Sequence, residues 1–346
     1  MIRIRKPASG PIVALCAAVA LAPLLASADM SPFIFGKGVG SLNLSFTELD
    51  ENQKTGDFVI PGEIVGKSSD TDFRADRANG NTKSQYITLI GHVVIHTKGS
   101  GHTGPSGQPL TLTSDQLRYD YRNAVYTATG NVKAVQGGDT LTASVMRLDD
   151  VAHVADLSGN VRYQAATGRT IATDALTYHI DGGDFVSPGP LTGGGSDGTF
   201  SADSASGNGI RGDVTLVGDV VVHKLGGFRN VGNSSEPITL TSTTLVVQND
   251  TKQYTASGHV KVVQGDRTMT APLMRLDDNT HVLTMTGGVH ASQPPSSSFE
   301  APEVIYNTET EDFRALGGVH ATVPVKQIGH KQTPRPSPKP SPSARL

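Results

Sequence analysis

Residues 126 to 150, "YTATGNVKAVQGGDTLTASVMRLDD", return at 254 to 278 as "YTASGHVKVVQGDRTMTAPLMRLDD". The copy lies 128 residues downstream and keeps the frame of Tyr, Gly, Val, Gln, Thr, Met, Arg, Leu and two Asp. A chain written this way builds one unit more than once, and units that cannot cover their own apolar face are stable only when stacked. The duplication extends beyond this strip. "FRADRANGNTKSQYITLIGHVVIH" from Phe73 returns as "FSADSASGNGIRGDVTLVGDVVVH" from Phe200, and "GDFVIPG" ending at Gly62 returns as "GDFVSPG" ending at Gly189.

Inside each copy a shorter phrase recurs: apolar, gap, small or apolar, gap, Gly, gap, then Val, Leu or Ile. Its glycines are Gly62, Gly91, Gly130, Gly159, Gly189, Gly218, Gly258, Gly287 and Gly317, at steps of 29, 39, 29, 30, 29, 40, 29 and 30. The two long steps carry the polar loops "TKGSGHTGPSGQP" and "KLGGFRNVGNSSEP". Alternation over seven positions is the period of a strand with one covered face. In "YTATGNV" the inward set reads Tyr126, Ala128, Gly130 and Val132. A second recurring strand ends in a pair, as in Leu117 with Tyr119, Met146 with Leu148, Leu176 with Tyr178, Leu245 with Val247, Met274 with Leu276 and Val304 with Tyr306. Asp or Asn often follows, as a turn requires. Glycine in a strand interior marks a bulge, a bend or a close approach. The row of glycines therefore means a sheet folded along that line, a slot beside it, or relief of crowding in a filled core.

Composition agrees with strands. Hydrophobic residues make up 36% of the 346, there is no Trp, and Gly, Ser and Thr are abundant, so the expectation is an all-β protein. Residues 1–28 have the anatomy of a secretory signal peptide: Arg3, Arg5 and Lys6, an apolar run from about Pro11 to Ala26, and small residues ending at Ala28. Retention of this segment as an anchor is the alternative. Loss of the leader removes Cys16, the one cysteine, and takes the formal charge from −3 to −6. Disulfides, thiol catalysis and Cys-ligated zinc are then excluded. Scattered charge without a basic stripe argues against a nucleic-acid partner. Residues 29–45 form a lead-in, 46–199 and 200–325 two repeat blocks, and 326–346 a Pro/Ser/basic tail too poor in apolar residues to fold.

Several motifs carry less than they first suggest. "GGSDG" around Ser196 has the spelling of a nucleophile elbow, but lies in a glycine-rich turn without the helix an elbow needs. "GEIVGKSS" has three residues between its glycines where a phosphate loop has four. His92, His96, His153, His223, His259, His281, His290 and His320 show no metal-site spacing and read as solvated strand ends. Asp149-Asp150 and Asp277-Asp278 recur at one turn and read as turn chemistry. The reading contains no catalytic residue, cofactor or metal.

The stretch "LTSDQLRYDYRNAVYTATGNVKAVQGGDTLTASVMRLDD" resembles the OstA-like repeat of LptA-type periplasmic lipopolysaccharide transport proteins, shared by the N-terminal part of LptD and more distantly by LptC. The resemblance covers roughly residues 46–322 and is strongest at 110–161 and 238–289. It implies an elongated, twisted antiparallel β-jellyroll, partly open along a groove, internally duplicated here. It also implies a periplasmic carrier that shields the acyl chains of lipopolysaccharide, or of a similar multi-acyl lipid, between inner and outer membranes. The implied protein partners are LptC-like and LptD-like chains added at edge strands, and self-association end to end. The candidate edges are Phe58–Ile64 and Phe313–Val319. The chain departs from the family pattern in its length, in the loops after His96 and His223, and in its tail. Candidate groove residues are Leu117, Tyr119, Tyr126, Ala128, Val132, Met146 and Leu148, with Leu245, Val247, Tyr254, Ala256, Val260, Met274 and Leu276 in the second copy. A secreted structural or adhesive β-solenoid with a dry core, and an anchored LptC-like component, are the competing readings.

Overall fold

The structure, a computed structural model, describes residues 43–68, 71–97, 109–180, 182–225, 236–293, 297–310 and 312–323. The leader, most of the lead-in, most of both long loops and the Pro-rich tail lie outside the described residues.

Strands follow one another from end to end, and all of them join one 24-stranded antiparallel sheet. The first six are short: β1 (Asn43–Ser45), β2 (Asp50–Asn52), β3 (Asp57–Ile60), β4 (Ile64–Lys67), β5 (Thr71–Ala75) and β6 (Arg77–Asn81). Six long strands follow: β7 (Tyr86–Thr97), β8 (Leu110–Asp120), β9 (Val125–Gln136), β10 (Asp139–Asp149), β11 (Val154–Gln164) and β12 (Thr170–His179). The second copy repeats the scheme with β13 (Asp184–Ser187), β14 (Leu191–Gly195), β15 (Gly198–Ala202) and β16 (Ser204–Asn208). Its long strands are β17 (Asp213–Lys224), β18 (Ile238–Gln248), β19 (Gln253–Gln264), β20 (Arg267–Asp277), β21 (Val282–Gln293) and β22 (Ser297–Asn307). The chain closes with β23 (Phe313–Leu316) and β24 (His320–Thr322).

Each short pair is one line of chain broken at its middle. β3 and β4 together face β6 and β5, and these in turn face the two ends of β7. A module is thus eight lines, from β3/β4 to β12 and again from β13/β14 to β22. The expected division between residues 199 and 200 falls inside β15.

In alternate lines the break or bulge lies at the recurring glycine. Gly91, Gly130, Gly159, Gly218, Gly258, Gly287 and Gly317 have left-handed φ between 74° and 93°. The next residue is left-handed too, namely His92, Asn131, Asn160, Asp219, His259, Gly288 and Gly318. Two such residues in succession make a bulge, and the pairing register slips at the bulges, as between Ala143 and Val145 opposite β9. The bulge corrects the expected inward set. A Cβ on Gly130 would collide with the exposed Asp115 side chain, and one on Gly91 or Gly218 with Asp76 or Asp203. The glycines therefore turn outward at a corner. Tyr126 and Ala128 face inward and so does Val132 beyond the bulge, while on the facing β10 the inward set changes from Met146 and Leu148 to Ala143 and Leu141. Gly62 and Gly189 differ from the other seven. They follow Pro61 and Pro188 in the gaps that separate β3 from β4 and β13 from β14, and neither is left-handed. Proline offers no N–H to the ladder, so the line parts there instead of bulging.

Turn chemistry holds the ends of the strands. Asp149 Oδ1 accepts from the backbone N–H of Val151 and Ala152, and Asp277 from those of Asn279 and Thr280. The Ala152 backbone donor, and after it the hydrogen bond and charge of Arg147, hold the Asp149 carboxyl below its usual range. Hydroxyls of Ser114, Thr173 and Ser242 donate to the carbonyl two residues on, at the register shifts of β8, β12 and β18.

Candidate lipid-binding interior

The inward residues form rows that cross the successive lines of both modules. One row, near the hairpin-turn ends, passes from Phe58 through Gly80, Ile87, Tyr119, Tyr126, Leu148, Ala155, Tyr178 and Phe185. It continues through Gly207, Val214, Val247, Tyr254, Leu276, Leu283 and Tyr306 to Phe313. A parallel row two residues deeper carries Leu89, Leu117, Ala128, Met146, Leu157 and Leu176, then Leu216, Leu245, Ala256, Met274, Met285 and Val304. Beyond the glycine corner the other half of each strand brings residues such as Ile95, Leu112, Ala134, Leu141 and Tyr163 into register. Apart from Gly80, Gly207 and Tyr119, these residues form or pack against one apolar cluster that spans both modules.

Every candidate groove residue falls on this interior, although the fourteen are not equally covered. Leu117, Ala128, Val132, Met146 and Leu148 are buried, as are Leu245, Val247, Tyr254, Ala256, Val260, Met274 and Leu276. Tyr119 and Tyr126 are half-buried and stack face to face, with centroids 4.1 Å apart and planes 7° from parallel. Tyr121, 41% exposed, leans on Tyr119 at 6.1 Å. Burial first, and then the hydrogen bond with Tyr119, push the Tyr126 phenol far above its usual range, so it stays neutral. On the outer surface beside them Arg118 lies 3.8 Å over the Tyr86 ring. The pattern of alternation located all fourteen positions. It did not identify which would be left half open, because that depends on the volume of residues from other strands.

The modules meet at an apolar cavity lined by Val161, Tyr163, Ile171, Thr173, Leu176, Phe185, Ser187, Leu191, Ala205 and Val214. Two hydroxyls on its wall satisfy one another, Thr173 and Ser187 lying 2.7 Å apart. The cavity exists because β13 and β14 are parted around Pro188-Gly189-Pro190 and the facing residues Ser187 and Ala205 are small. No sequence motif marked it.

The other sequence candidates stay outside this interior. Ser196 lies in the β14–β15 turn between two strands, and its hydroxyl donates to Asp197 at 3.2 Å. His92 meets Asp76 at 2.8 Å and His290 meets Glu300 at 3.1 Å, while the repeat equivalents His96 and His223 contact Thr111 and Thr239. The Asp76 hydrogen bond, with its charge, raises the His92 pKa.

Comparison with known proteins adds an independent finding. The family described as "Lipopolysaccharide-assembly, LptC-related" matches residues 48–166 and 193–294. The gap between the two matches covers β12 and β13, where the modules join. Among solved structures, the chain is similar to LptH, the LptA-homologous periplasmic component of the lipopolysaccharide transport device of Pseudomonas aeruginosa. That likeness has 13% identity and a TM-score of 0.30, and it covers 34% of this chain and 82% of that one. No curated protein matches the chain.

Proposed function

Because this chain belongs to the LptC-related family of lipopolysaccharide-assembly proteins, we propose that its interior shelters acyl chains of lipopolysaccharide on the way from inner to outer membrane. The observation that carries this reading is the unbroken apolar row from Phe58 to Phe313, which crosses the module junction without a polar interruption. Exposing a methylene to water costs about 0.8 kcal/mol, so a twelve-carbon chain carried bare costs on the order of 10 kcal/mol. A multi-acyl lipid therefore needs a continuous covered path. No covalent step is required of the protein, which acts as a carrier and not as an enzyme.

Cargo reaches the interior where the walls already part, beside Tyr119 and Tyr126, and displaces contacts that the walls make with each other in the empty chain. The junction cavity, walled by Phe185, Leu191 and Val214, is the next place along the path with unfilled space. Residues 1–28 direct the chain across the inner membrane and are removed, which N-terminal sequencing of the mature protein checks. The two ends of the ladder, where β1/β2 covers the expected edge Phe58–Ile64 and Phe313–Val319 lies on the last line, join neighbouring chains of the same architecture by strand addition.

A photo-reactive residue at Tyr126 is expected to capture lipopolysaccharide in cells, with little capture from Arg118 on the outer face. Equal capture at both positions rules the interior path out. The second reading, a structural solenoid that carries nothing, is favoured by the closed interior of the second module, where Val247, Ala256, Val260 and Met274 have no exposure. Mass spectrometry of an organic extract of the purified protein separates the two, since the carrier yields a bound amphiphile and the solenoid none.

A further inference from the structure

The same two-line unit occurs three times. At the module junction β12 faces β13 and β14, with Tyr178 opposite Phe185, Thr177 opposite Val186 and Ile171 opposite Gly193. At the C-terminal end β22 faces β23 and β24, with Tyr306 opposite Phe313, Ile305 opposite Arg314 and Phe299 opposite Ala321. At the N-terminal end β2 and β1 face β3 and β4, with Glu51 opposite Phe58, Asp50 opposite Val59 and Leu44 opposite Gly66. Phe58, Phe185 and Phe313 stand at one repeat position, 127 and 128 residues apart. The described chain is therefore the last line of one module, two whole modules, and the first line of a third.

The two outer lines are poor copies of the inner ones. β1, β2 and β24 are exposed throughout, and Leu44, Phe46 and Leu49 are 44%, 39% and 45% exposed. Glu51 stands where Tyr178 and Tyr306 are buried. On β23/β24, Ala315 and Val319 occupy the positions that Ile60 and Ile64 fill on β3/β4, and two left-handed glycines part the line. Beneath this weak cover β22 is fully built, with Val304 and Tyr306 buried completely.

We infer that β23/β24 is a stand-in, and that β3/β4 of a second copy of this chain displaces it from β22 while its own β1/β2 peels away. The joint then repeats the β12–β13/β14 junction, with Phe58 of one copy against Tyr306 of the other. Ile60 and Ile64 replace Ala315 and Val319 over β22, and the row of inward residues runs on from one molecule into the next. The inference rests on the proposed strand addition at the ends and differs from it in one respect: the end line is removed and does not itself serve as the docking edge.

The test uses the full chain with Cys16→Ser, Val59→Cys and Ile305→Cys. Exchange places residue 59 of one copy directly opposite residue 305 of another, within reach of a disulfide. Without exchange residue 59 faces Asp50 of its own chain and residue 305 faces Arg314. Oxidation is expected to give covalent head-to-tail dimers and longer chains. Adding Phe313→Asp, or ending the chain after Asn307, should lower the concentration for half-maximal linking about tenfold. Absence of the disulfide overturns the proposal, as does linking that weakens when Phe313 is replaced or β23/β24 removed, since edge-to-edge addition requires that line to stay. Lipid capture at Tyr126, scored on the same samples, reports on the carrier reading separately.

Discussion

The two modules share one ladder and fill it differently. Ile87, Tyr119, Tyr126 and Ala155 of the first stand where Val214, Val247, Tyr254 and Leu283 stand in the second. The first set is half-buried and the second is closed to water. Deeper in, Ala134 of the first module answers to Val262 of the second. With alanine at 155 and 134 where the second module has leucine and valine, the tyrosines of the first module are only half covered and stack on each other. Access to the interior is thus set by a few volumes on a common backbone, not by a difference of fold.

This contrast can be broken by measurement, beginning with the largest effect. Tyr254→Ala should lose about 3–5 kcal/mol in urea denaturation, as for other large buried rings. Tyr126→Ala, already half exposed, should lose about 1–2 kcal/mol. Equal losses would show the two seams to be equally closed. Gly130→Ala is next, at about 1–2 kcal/mol for a left-handed residue, with the Asp115 contact added to it. Gly189→Ala, in the junction gap with nothing within 4 Å of its missing Cβ, should stay within about 0.5 kcal/mol. A costly change at Gly189 would mean that the parted lines are as constrained as the bulges.

Ala155→Leu, which copies Leu283, sharpens the comparison without threatening the fold. It should cut lipid capture at Tyr126 severalfold and leave the urea midpoint unchanged or slightly raised. The smallest effect is electrostatic. His92 faces Asp76 in the first module, whereas the second has Asp219 and Asp203 at those places. Since the folded pKa of His92 lies above its unfolded value, its contribution is complete below the ordinary imidazole pKa and fades as pH rises through the raised value. An NMR titration should show that raised value, and Asp76→Asn should return it to the ordinary range.

Much of this was legible beforehand. Period-two alternation placed Leu117, Ala128, Met146 and their copies inward, and Asp149 and Asp277 announced their turns. The direction of Gly130 was not legible, because the bulge turns that one position outward and leaves Val132, two residues on, in the inward set. Nor did the glycine pattern separate Gly62 and Gly189 from the rest, although the preceding prolines held that information. The hydroxyls of Ser114, Thr173 and Ser242 look like any other strand Ser or Thr until the register shifts beside them are seen. The meaning of Phe313 was present in its spacing from Phe58 and Phe185, but only the pairing with Tyr306 shows that it repeats Phe185 opposite Tyr178.

The strictly sequential pairing makes the molecule a ruler. Neighbouring lines of a sheet lie about 4.8 Å apart, so one eight-line module measures about 38 Å and the described chain spans about 80 Å. Duplication within a gene then changes reach in fixed increments, and a compartment of a given width would select for a whole number of modules.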